Sequence, residues 1–292
     1  MFRPKIFPVL CFGVIALSFA SILIRLTPAP SIIIATGRMI FSSLILTPIF
    51  LKNLPARKTQ LKTVNWFLTI LSGLFLAAHF ALWIESLKHT TVVSSVVLVA
   101  MNPIFVSLLA PLFLKERVTW HTWVAVGLGI LGALLIAGPT LGSTRITAGN
   151  LFALSGALAA SGYVLVGRKL RPGLSLVNYI YPVYSLAAIT LLIIALLTGQ
   201  RFTGYPLKAY LFILLLAIGP QLLGHTSFNW ALGYLNAPVV AMFILGEPVG
   251  TTILAWLLLH QPPTFLELIG GIIICTAIYL ATLQTQKQKA KV

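Results

Sequence analysis

One acidic residue stands in the middle of a long apolar segment. Glu247, followed by Pro248, interrupts the otherwise apolar stretch 237–259. A carboxylate at the centre of a bilayer costs on the order of 2.5–3.5 kcal/mol on insertion scales, so it faces a cavity or a partner rather than lipid. Glu247 could therefore bind a proton, a cation or the amine of a substrate. Alternatively, it satisfies the backbone carbonyl of Ile244, which Pro248 leaves without an N–H donor.

The same pattern occurs once more, earlier in the chain. At a constant offset of 145 residues, Asn102 aligns with Glu247 and Pro103 aligns with Pro248. We therefore predict one five-helix unit written twice. Asn102 either lines the same cavity as Glu247 or only satisfies the kink at Pro103. The predicted units are residues 1–139 and 145–284, packed as one compact membrane domain, and residues 285–292 form a cytoplasmic tail.

Two histidines, each followed closely by a tryptophan, fall within one residue of equivalent positions in the two units. His79 precedes Trp83 in the third apolar segment, and His225 precedes Trp230 in the eighth. A single membrane histidine more often makes a helix–helix hydrogen bond, whereas two symmetric His–Trp groups favour a shared cavity. Tyr163 is the best aromatic candidate for the same cavity.

Further polar candidates lie in the second and eighth apolar segments. Gln221, His225 and Asn229 are four residues apart, so on an α-helix they share one face, which should point away from lipid. Arg38 lies too deep in its segment to be only a topology signal. It could neutralise a substrate carboxylate or pair with Glu247. Alternatively, it snorkels to the interface or pairs with a helix end.

The composition is that of an integral membrane protein. Of the 292 residues, 59% are hydrophobic and only 8% are charged, a balance that a soluble domain does not tolerate. All four acidic residues are glutamates, and the absence of aspartate excludes intramembrane aspartyl proteases. The net charge of +16 comes from basic residues scattered between apolar segments, which argues against binding of nucleic acid.

A helix needs about 20 apolar residues to span a bilayer, and the sequence contains ten such segments. They lie near residues 6–26, 31–51, 64–86, 91–114, 120–139, 148–168, 175–198, 207–232, 237–259 and 264–284. Fourteen Lys and Arg residues fall on one side of the resulting topology and five on the other, which predicts both termini in the cytoplasm. Because five helices is an odd number, the second unit must be inverted, and a substrate site is then expected at the midplane between the units.

Motifs for catalysis or nucleotide binding are missing from the sequence. There is no HExxH, CxxC, GxSxG or P-loop. Cys11 and Cys275 both lie inside predicted spans and indicate neither a disulfide framework nor a metal site. We therefore expect no enzyme activity, no cofactor and no bound metal.

The sequence resembles the drug/metabolite transporter superfamily, specifically its ten-helix EamA-type members. The resemblance is carried by RMIFSSLILTP from Arg38, HFALWIESLKHTTVVSSVVLVAMNPIFVSLLAPLFLKERVT from His79 and FNWALGYLNAPVVAMFILGEPVGTTILAWLLL from Phe228. The ending FLKERVT is similar to the family's apolar-apolar-Gly-Glu-Arg ending, with Lys115 in place of Gly. In the second repeat, His260 and Gln261 replace the usual Gly-Glu, so we expect no role for a second glutamate there.

The resemblance implies an all-α integral membrane fold of ten transmembrane helices in two inverted five-helix repeats. It implies a cavity lined by the first, third, fourth, sixth, eighth and ninth helices, with the fifth and tenth packed behind. Carried over by position, the substrate cavity comprises His79, Trp83, Asn102, Tyr163, His225, Asn229 and Glu247.

The function implied by the resemblance is secondary transport. We expect a multi-pass protein of the inner cell membrane that exports amino acids or related small metabolites by alternating access. Its partners would be the bilayer and a small-molecule substrate, with coupling to protons or exchange. The residues also leave open a non-transporting membrane scaffold or a lipid-handling protein.

Overall fold

A computed structural model describes residues 6–52, 60, 62, 64–138 and 148–290 of the chain. These residues are helical or lie in short connections, and none of them forms a strand. Ten helices in this part of the chain are long and apolar enough to cross a membrane. The prediction of an all-α membrane protein with ten spans is therefore confirmed.

The spans are numbered α1 to α10 in chain order. They are α1 (Ile6–Leu26), α2 (Ser31–Lys52), α3 (Trp66–His89), α4 (Val92–Val99 and Asn102–Phe113), α5 (Trp120–Ala137), α6 (Ala148–Leu170), α7 (Leu176–Leu197), α8 (Leu207–Ala231), α9 (Ala237–Ile244 and Glu247–Leu259) and α10 (Phe265–Ala290). The start of α3 follows from its cap, because Asn65 Oδ1 accepts a hydrogen bond from the N–H of Leu68 at 3.1 Å.

Some sequence-based predictions fall on residues that the structure does not describe. Residues 285–290 of the predicted tail continue the α10 helix, and residues 291–292 of that tail lie outside the described residues. The boundary between the two predicted units lies within residues 139–147, outside the described residues. The same holds for some of the basic residues that the topology prediction uses, namely Arg3, Lys5, Arg57, Lys58, Arg145 and Lys291.

Helix packing in the two halves of the chain is symmetric. With α1 to α5 matched in order to α6 to α10, the contact of α3 with α6 corresponds to the contact of α8 with α1. The pairs α2 with α7, α4 with α9 and α5 with α10 each map onto themselves. Two repeats that pack against each other with two-fold symmetry produce this pattern of contacts. The inversion of one half relative to the other stays a prediction.

Both α4 and α9 are interrupted at the aligned positions. The second segment of α4 starts at Asn102 and that of α9 starts at Glu247. Each of these residues precedes a proline, Pro103 or Pro248, which has no N–H to donate to the carbonyl four residues earlier. The hydrogen-bond ladder therefore stops at the same place in both halves.

The α5 and α10 helices form a pair in which two glycines face each other. A Cβ atom on Gly132 would lie 2.6 Å from the carbonyl oxygen of Gly270, and one on Gly270 would lie 2.5 Å from the carbonyl oxygen of Gly132. Neither distance is possible for a residue with a side chain. The absence of both Cβ atoms allows the two backbones to touch.

Replacement of Gly132 by alanine should therefore destabilise the protein. The new methyl group overlaps the backbone of Gly270, and overpacking of this kind costs about 1–3 kcal/mol. Gly127→Ala is the matched control, because it lies on the same helix, a Cβ there meets nothing within 4 Å, and alanine favours helix. We expect a melting temperature lowered by several degrees for Gly132→Ala alone, measured by thermal unfolding of detergent-purified protein. Equal melting temperatures for the two variants would contradict this account of the packing.

The inverted topology predicts opposite labelling of two connections. Thr203, between α7 and α8, and Gly173, between α6 and α7, are both exposed. After Cys11 and Cys275 are replaced by serine, an impermeant thiol reagent added outside intact cells should label Thr203→Cys and miss Gly173→Cys. Permeabilised cells provide the control, since both positions should then react. Reversed labelling would show that the termini lie outside.

Candidate functional site

A small closed cavity lies where the two halves meet. Six helices contribute to its lining, namely α1, α3, α4, α6, α8 and α9, and these are the helices that the family resemblance implies. The space open to water measures about 30 Å³, roughly the share of one water molecule in the liquid. Sites that hold small molecules usually measure about 300–1,000 Å³. In this conformation the cavity therefore has room for about one water molecule and not for a substrate.

All seven residues predicted for the cavity lie in its lining. They are His79, Trp83, Asn102, Tyr163, His225, Asn229 and Glu247. Most of the remaining lining is aliphatic or aromatic, with Leu17 on α1 and Phe228 on α8 among these residues. The structure thus brings the candidates together from five helices, while their contact with a substrate stays a prediction.

The carboxyl group of Glu247 is buried at the point where α9 resumes. The residue is only 4% exposed, and its Oε1 makes no hydrogen bond within the described part of the chain. The α1 helix holds the backbone here, because Ser18 Oγ donates to the carbonyl of Glu247 at 3.4 Å and Thr251 Oγ1 donates to the carbonyl of Ser18 at 3.3 Å. Glu247 also begins a helical segment, where the helix dipole favours a negative charge.

Asn102 occupies the equivalent place in α4. It is 2% exposed, and its Oδ1 also has no hydrogen-bond partner among the described residues. Ser161 Oγ on α6 donates to the carbonyl of Asn102 at 3.2 Å. Asn102 lies in the cavity lining, and its alternative role of satisfying the kink at Pro103 stays a prediction.

Ser18 and Ser161 therefore make equivalent contacts to the two breaks, from opposite halves of the chain. Each hydroxyl also contacts a carbonyl of its own helix, at 2.8 Å to Val14 for Ser18 and at 2.8 Å to Ala157 for Ser161. Sequence analysis did not identify these serines as positioning residues, because serines that bond only within their own helix are common. Their positions differ from the 145-residue offset by two residues, so a search for near-equivalent hydroxyls could have found them.

The histidines meet at the wall of the cavity. His79 Nδ1 lies 3.0 Å from the carbonyl oxygen of Gly156, so Nδ1 carries the proton and Nε2 is an acceptor in the neutral ring. The His79 ring stacks on Trp83 with 5.7 Å between centroids, and the centroid of the His225 ring lies 6.1 Å away. Trp83 Nε1 is buried and has no hydrogen-bond partner in the described structure.

The expected symmetry of the two His–Trp groups holds for the histidines and not for the tryptophans. Trp230 does not line the cavity, and its ring centroid lies 5.0 Å from that of Tyr234. Residues Ala217–His225 of α8 form a π-helix around Pro220. A π-helix bonds each N–H to a carbonyl five residues back, which changes the direction of the side chains that follow.

The three polar residues of α8 lie inside the protein, as their shared face predicts, because Gln221 and Asn229 are buried and His225 lines the cavity. Gln221 turns away from the cavity, and its Oε1 accepts a hydrogen bond from Arg38 Nε at 3.0 Å. Asn229 stays in the lining, where its Nδ2 donates to the hydroxyl oxygens of Tyr163 at 2.5 Å and Tyr184 at 3.1 Å. Asn229 therefore fixes the position of the Tyr163 hydroxyl.

Arg38 lies behind the cavity wall rather than in it. The side chain is fully buried, and its Cζ lies 4.1 Å from the centroid of the Phe80 ring. Its two terminal nitrogens make no hydrogen bond in the described part of the chain. No ion-pair contact joins Arg38 to Glu247 among the described residues. Arg38 thus places a positive charge near the cavity, and its role as charge partner stays a prediction.

The model of the EamA-like transporter family matches residues 6–138 and 147–283 of the chain. The chain belongs to this family. An uncharacterized transporter of Bacillus subtilis, YyaM, is 23% identical over 235 residues, which are 77% of this chain and 76% of the relative. The pseudopaline exporter CntI of Pseudomonas aeruginosa is 28% identical over 221 residues, which are 75% and 74% of the two chains.

Other comparisons agree with the family. An S-adenosylmethionine uptake transporter of Rickettsia felis is 32% identical over 106 residues, which are 36% of this chain and 35% of the relative. A crystal structure superposes on 98% of this chain and 99% of its own, with a TM-score of 0.81 and 15% identity, which shows the shared fold. The EamA-like chain is therefore a multi-pass membrane transporter and not an enzyme.

Proposed function

We propose that this EamA-like transporter exports amino acids or related small metabolites by alternating access. One observation carries the proposal: Glu247 Oε1, Asn102 Oδ1 and Trp83 Nε1 are buried at one closed cavity, and none has a hydrogen-bond partner in the described structure. Such groups are uncommon in folded proteins and require an explanation. Interrupted helices that meet at a midplane cavity are typical of substrate sites in secondary transporters.

The charges around the cavity favour a substrate that carries both signs. Glu247 offers a carboxyl group to an amine, and Arg38 supplies a positive charge behind the wall. The apolar lining around Leu17 and Phe228 suits the carbon skeleton of a metabolite. Among the named relatives, CntI is an exporter and the Rickettsia protein is an uptake transporter, so the direction of transport is part of the test.

An ion pair between the two halves closes one end of the structure. Arg168 Nε at the end of α6 donates to Glu116 Oε1 at 2.6 Å, and Arg168 also donates to the carbonyl of Leu232 at 2.9 Å. Glu116 Oε2 accepts a hydrogen bond from the N–H of Ala237 at 3.0 Å. The connection after α4 is thus tied to the ends of α6 and α8 and to the start of α9.

The opposite end has an arginine in the place of Arg168, but no acidic residue in the place of Glu116. Arg25 at the end of α1 donates to the carbonyl of Leu87 at 3.1 Å, and Leu87 is the repeat equivalent of Leu232. Gln261 stands at the position equivalent to Glu116. The Arg25 contact lies within the first half, whereas Thr90 Oγ1 donates to Asn150 Oδ1 across the two halves at 2.8 Å. In the alternating-access cycle that we propose, one end opens by separating an ion pair and the other by breaking this hydrogen bond. The two ends therefore have different opening energies.

The proposed function is tested first by a growth screen. Cells that overexpress the protein are challenged with toxic amounts of amino acids and their analogues, and an exported compound should become less toxic than in cells with an empty vector. The purified protein in liposomes should then move that compound, and the imposed pH or substrate gradient shows the direction and the coupling. Absence of protection across the panel, together with absence of transport in liposomes, would contradict the proposal.

Glu247→Gln should strongly reduce pH-driven export while leaving folding intact. Glutamine keeps the shape and hydrogen-bonding capacity of the side chain but removes its titration and its charge. Hydrogen bonds to charged groups contribute about 1.5–3 kcal/mol, so we expect export in liposomes to fall by roughly 10- to 100-fold, with normal membrane insertion. Glu85→Gln is the control, because Glu85 is exposed and pairs with His89. Wild-type export by Glu247→Gln, with unchanged pH dependence, would show that Glu247 is structural.

Loss of the Glu116 carboxylate should open the Arg168 end more often. Exposed or partly exposed ion pairs contribute about 0.2–1 kcal/mol, so Glu116→Gln should raise the accessibility of the cavity from that end by up to about fivefold. The readout is the rate at which a thiol reagent modifies Ala160→Cys, a lining position, in a background without Cys11 and Cys275. Lys169→Gln removes a neighbouring charge on an outer groove and should leave the rate unchanged. Equal rates for both variants would refute the role of this ion pair.

A further inference from the structure

We propose that the breaks in α4 and α9 together form a binding site for a protonated primary amine, the ammonium group of the transported molecule. This inference rests on the proposed function and specifies its substrate class. The site, named here the paired-break site, consists of Asn102 and Glu247 with the carbonyl groups of Val99 and Ile244. All four residues line the central cavity.

The paired-break site offers acceptors and lacks a resident cation. Glu247 Oε1 and Asn102 Oδ1 are buried oxygen atoms without a hydrogen-bond partner in the described part of the chain. A primary ammonium group has three N–H donors and no acceptor, so it complements this pair of oxygens. Among the described residues that line the cavity there is no lysine or arginine that could occupy the site in place of a ligand.

The two prolines add further acceptors. Pro103 cannot donate to the carbonyl of Val99, and Pro248 cannot donate to the carbonyl of Ile244, because proline has no N–H. Val99 and Ile244 also end the first helical segments of α4 and α9. The carbonyl end of a helix carries partial negative charge and favours a cation. Each half therefore supplies one side-chain oxygen and one carbonyl group to the site, while the second segment of each helix starts beside them with the opposite dipole sign.

The rest of the lining favours an organic ammonium over an inorganic cation. The aromatic residues Trp83, Tyr163 and Phe228 line the same cavity, and aromatic faces attract ammonium groups when water is excluded. Apolar walls match the carbon atoms attached to an amine, whereas a sodium ion would need a full shell of oxygen ligands. Arg38 lies outside the lining, so it does not compete for Glu247 at the site.

The test uses a small amine as the probe, so it does not depend on the identity of the transported molecule. The full-length protein in detergent is heated in the presence of propylammonium chloride, with sodium chloride at equal ionic strength and 1-propanol as controls. At about five times the Kd, a ligand that binds only the folded state should raise the melting temperature by about 2–4 °C. We expect this shift with propylammonium alone. We expect it to be lost in Glu247→Gln and kept in Glu85→Gln.

The repeat symmetry provides a second variant. Because Asn102 and Glu247 are equivalent and face one cavity, the exchange Asn102→Asp with Glu247→Asn moves the carboxylate from α9 to α4. The exchanged protein should regain the propylammonium shift that Glu247→Gln loses. A structural role of Glu247 in α9, or a folding defect of the single variant, would not produce such a rescue.

Each other outcome overturns the inference. An equal shift with sodium chloride would identify an inorganic cation site, and an equal shift with 1-propanol would identify apolar binding alone. An undiminished propylammonium shift in Glu247→Gln would place the amine elsewhere. Failure of the growth screen and of transport in liposomes would contradict the proposed function without changing these melting temperatures, so the two failures are distinguishable.

Discussion

The structure depends on one constraint, which is that a bilayer offers no water to unpaired backbone groups. A membrane helix usually pairs all its backbone groups internally. The α4 and α9 helices do not, because each contains a proline that interrupts its backbone hydrogen bonds. These breaks can exist only where protein encloses them. The α6 helix packs along both segments of α4 and the α1 helix along both segments of α9, and Ser161 on α6 and Ser18 on α1 contact the backbone at each break. The helices that enclose the breaks also form the walls of the central cavity. The need to shield the two breaks from lipid therefore also creates the candidate site.

Most helix and side-chain contacts occur in both halves, so the residues that differ between the halves are informative. The serine contacts, the arginine contacts at Leu87 and Leu232, and the helix pairs all occur in both halves. None of the four acidic side chains has an acidic equivalent in the other half, and two of them lie at the cavity and at a closing end: Asn102 is the equivalent of Glu247, and Gln261 is the equivalent of Glu116. A duplicated sequence explains the contacts that the two halves share, whereas transport in one direction requires a difference between the halves. The unmatched acids supply that difference, one within the cavity and one at a closing end.

Much of this arrangement can be predicted from the sequence, because polar residues inside a membrane span must face the protein interior or a cavity. Length and apolar content determine the ten spans, and deep polar side chains such as Asn102 and Glu247 must turn inward, which brought all seven candidates to one cavity. The π-helix of α8 and the hydrogen bond between Gln221 and Arg38 have no such signature. The pairing of Glu116 with Arg168 joins residues far apart in sequence. Local pattern indicated only that Glu116 sits between Lys115 and Arg117.

The chemistry of a shared carboxyl group links substrate and coupling. If the same Glu247 oxygen accepts either a proton or the ammonium group of a substrate, the two ligands exclude each other, since a neutral carboxyl no longer attracts a cation as a carboxylate does. Mutual exclusion at one site is the condition under which a transporter exchanges one ligand for another across the membrane, because the site returns loaded with one or the other. A permanent charge such as Arg38, held by Gln221 and Phe80 behind the wall, does not leave with either ligand. In the proposed cycle it would compensate part of the negative charge of Glu247 whenever neither ligand is bound, a state in which a buried unpaired charge is costly.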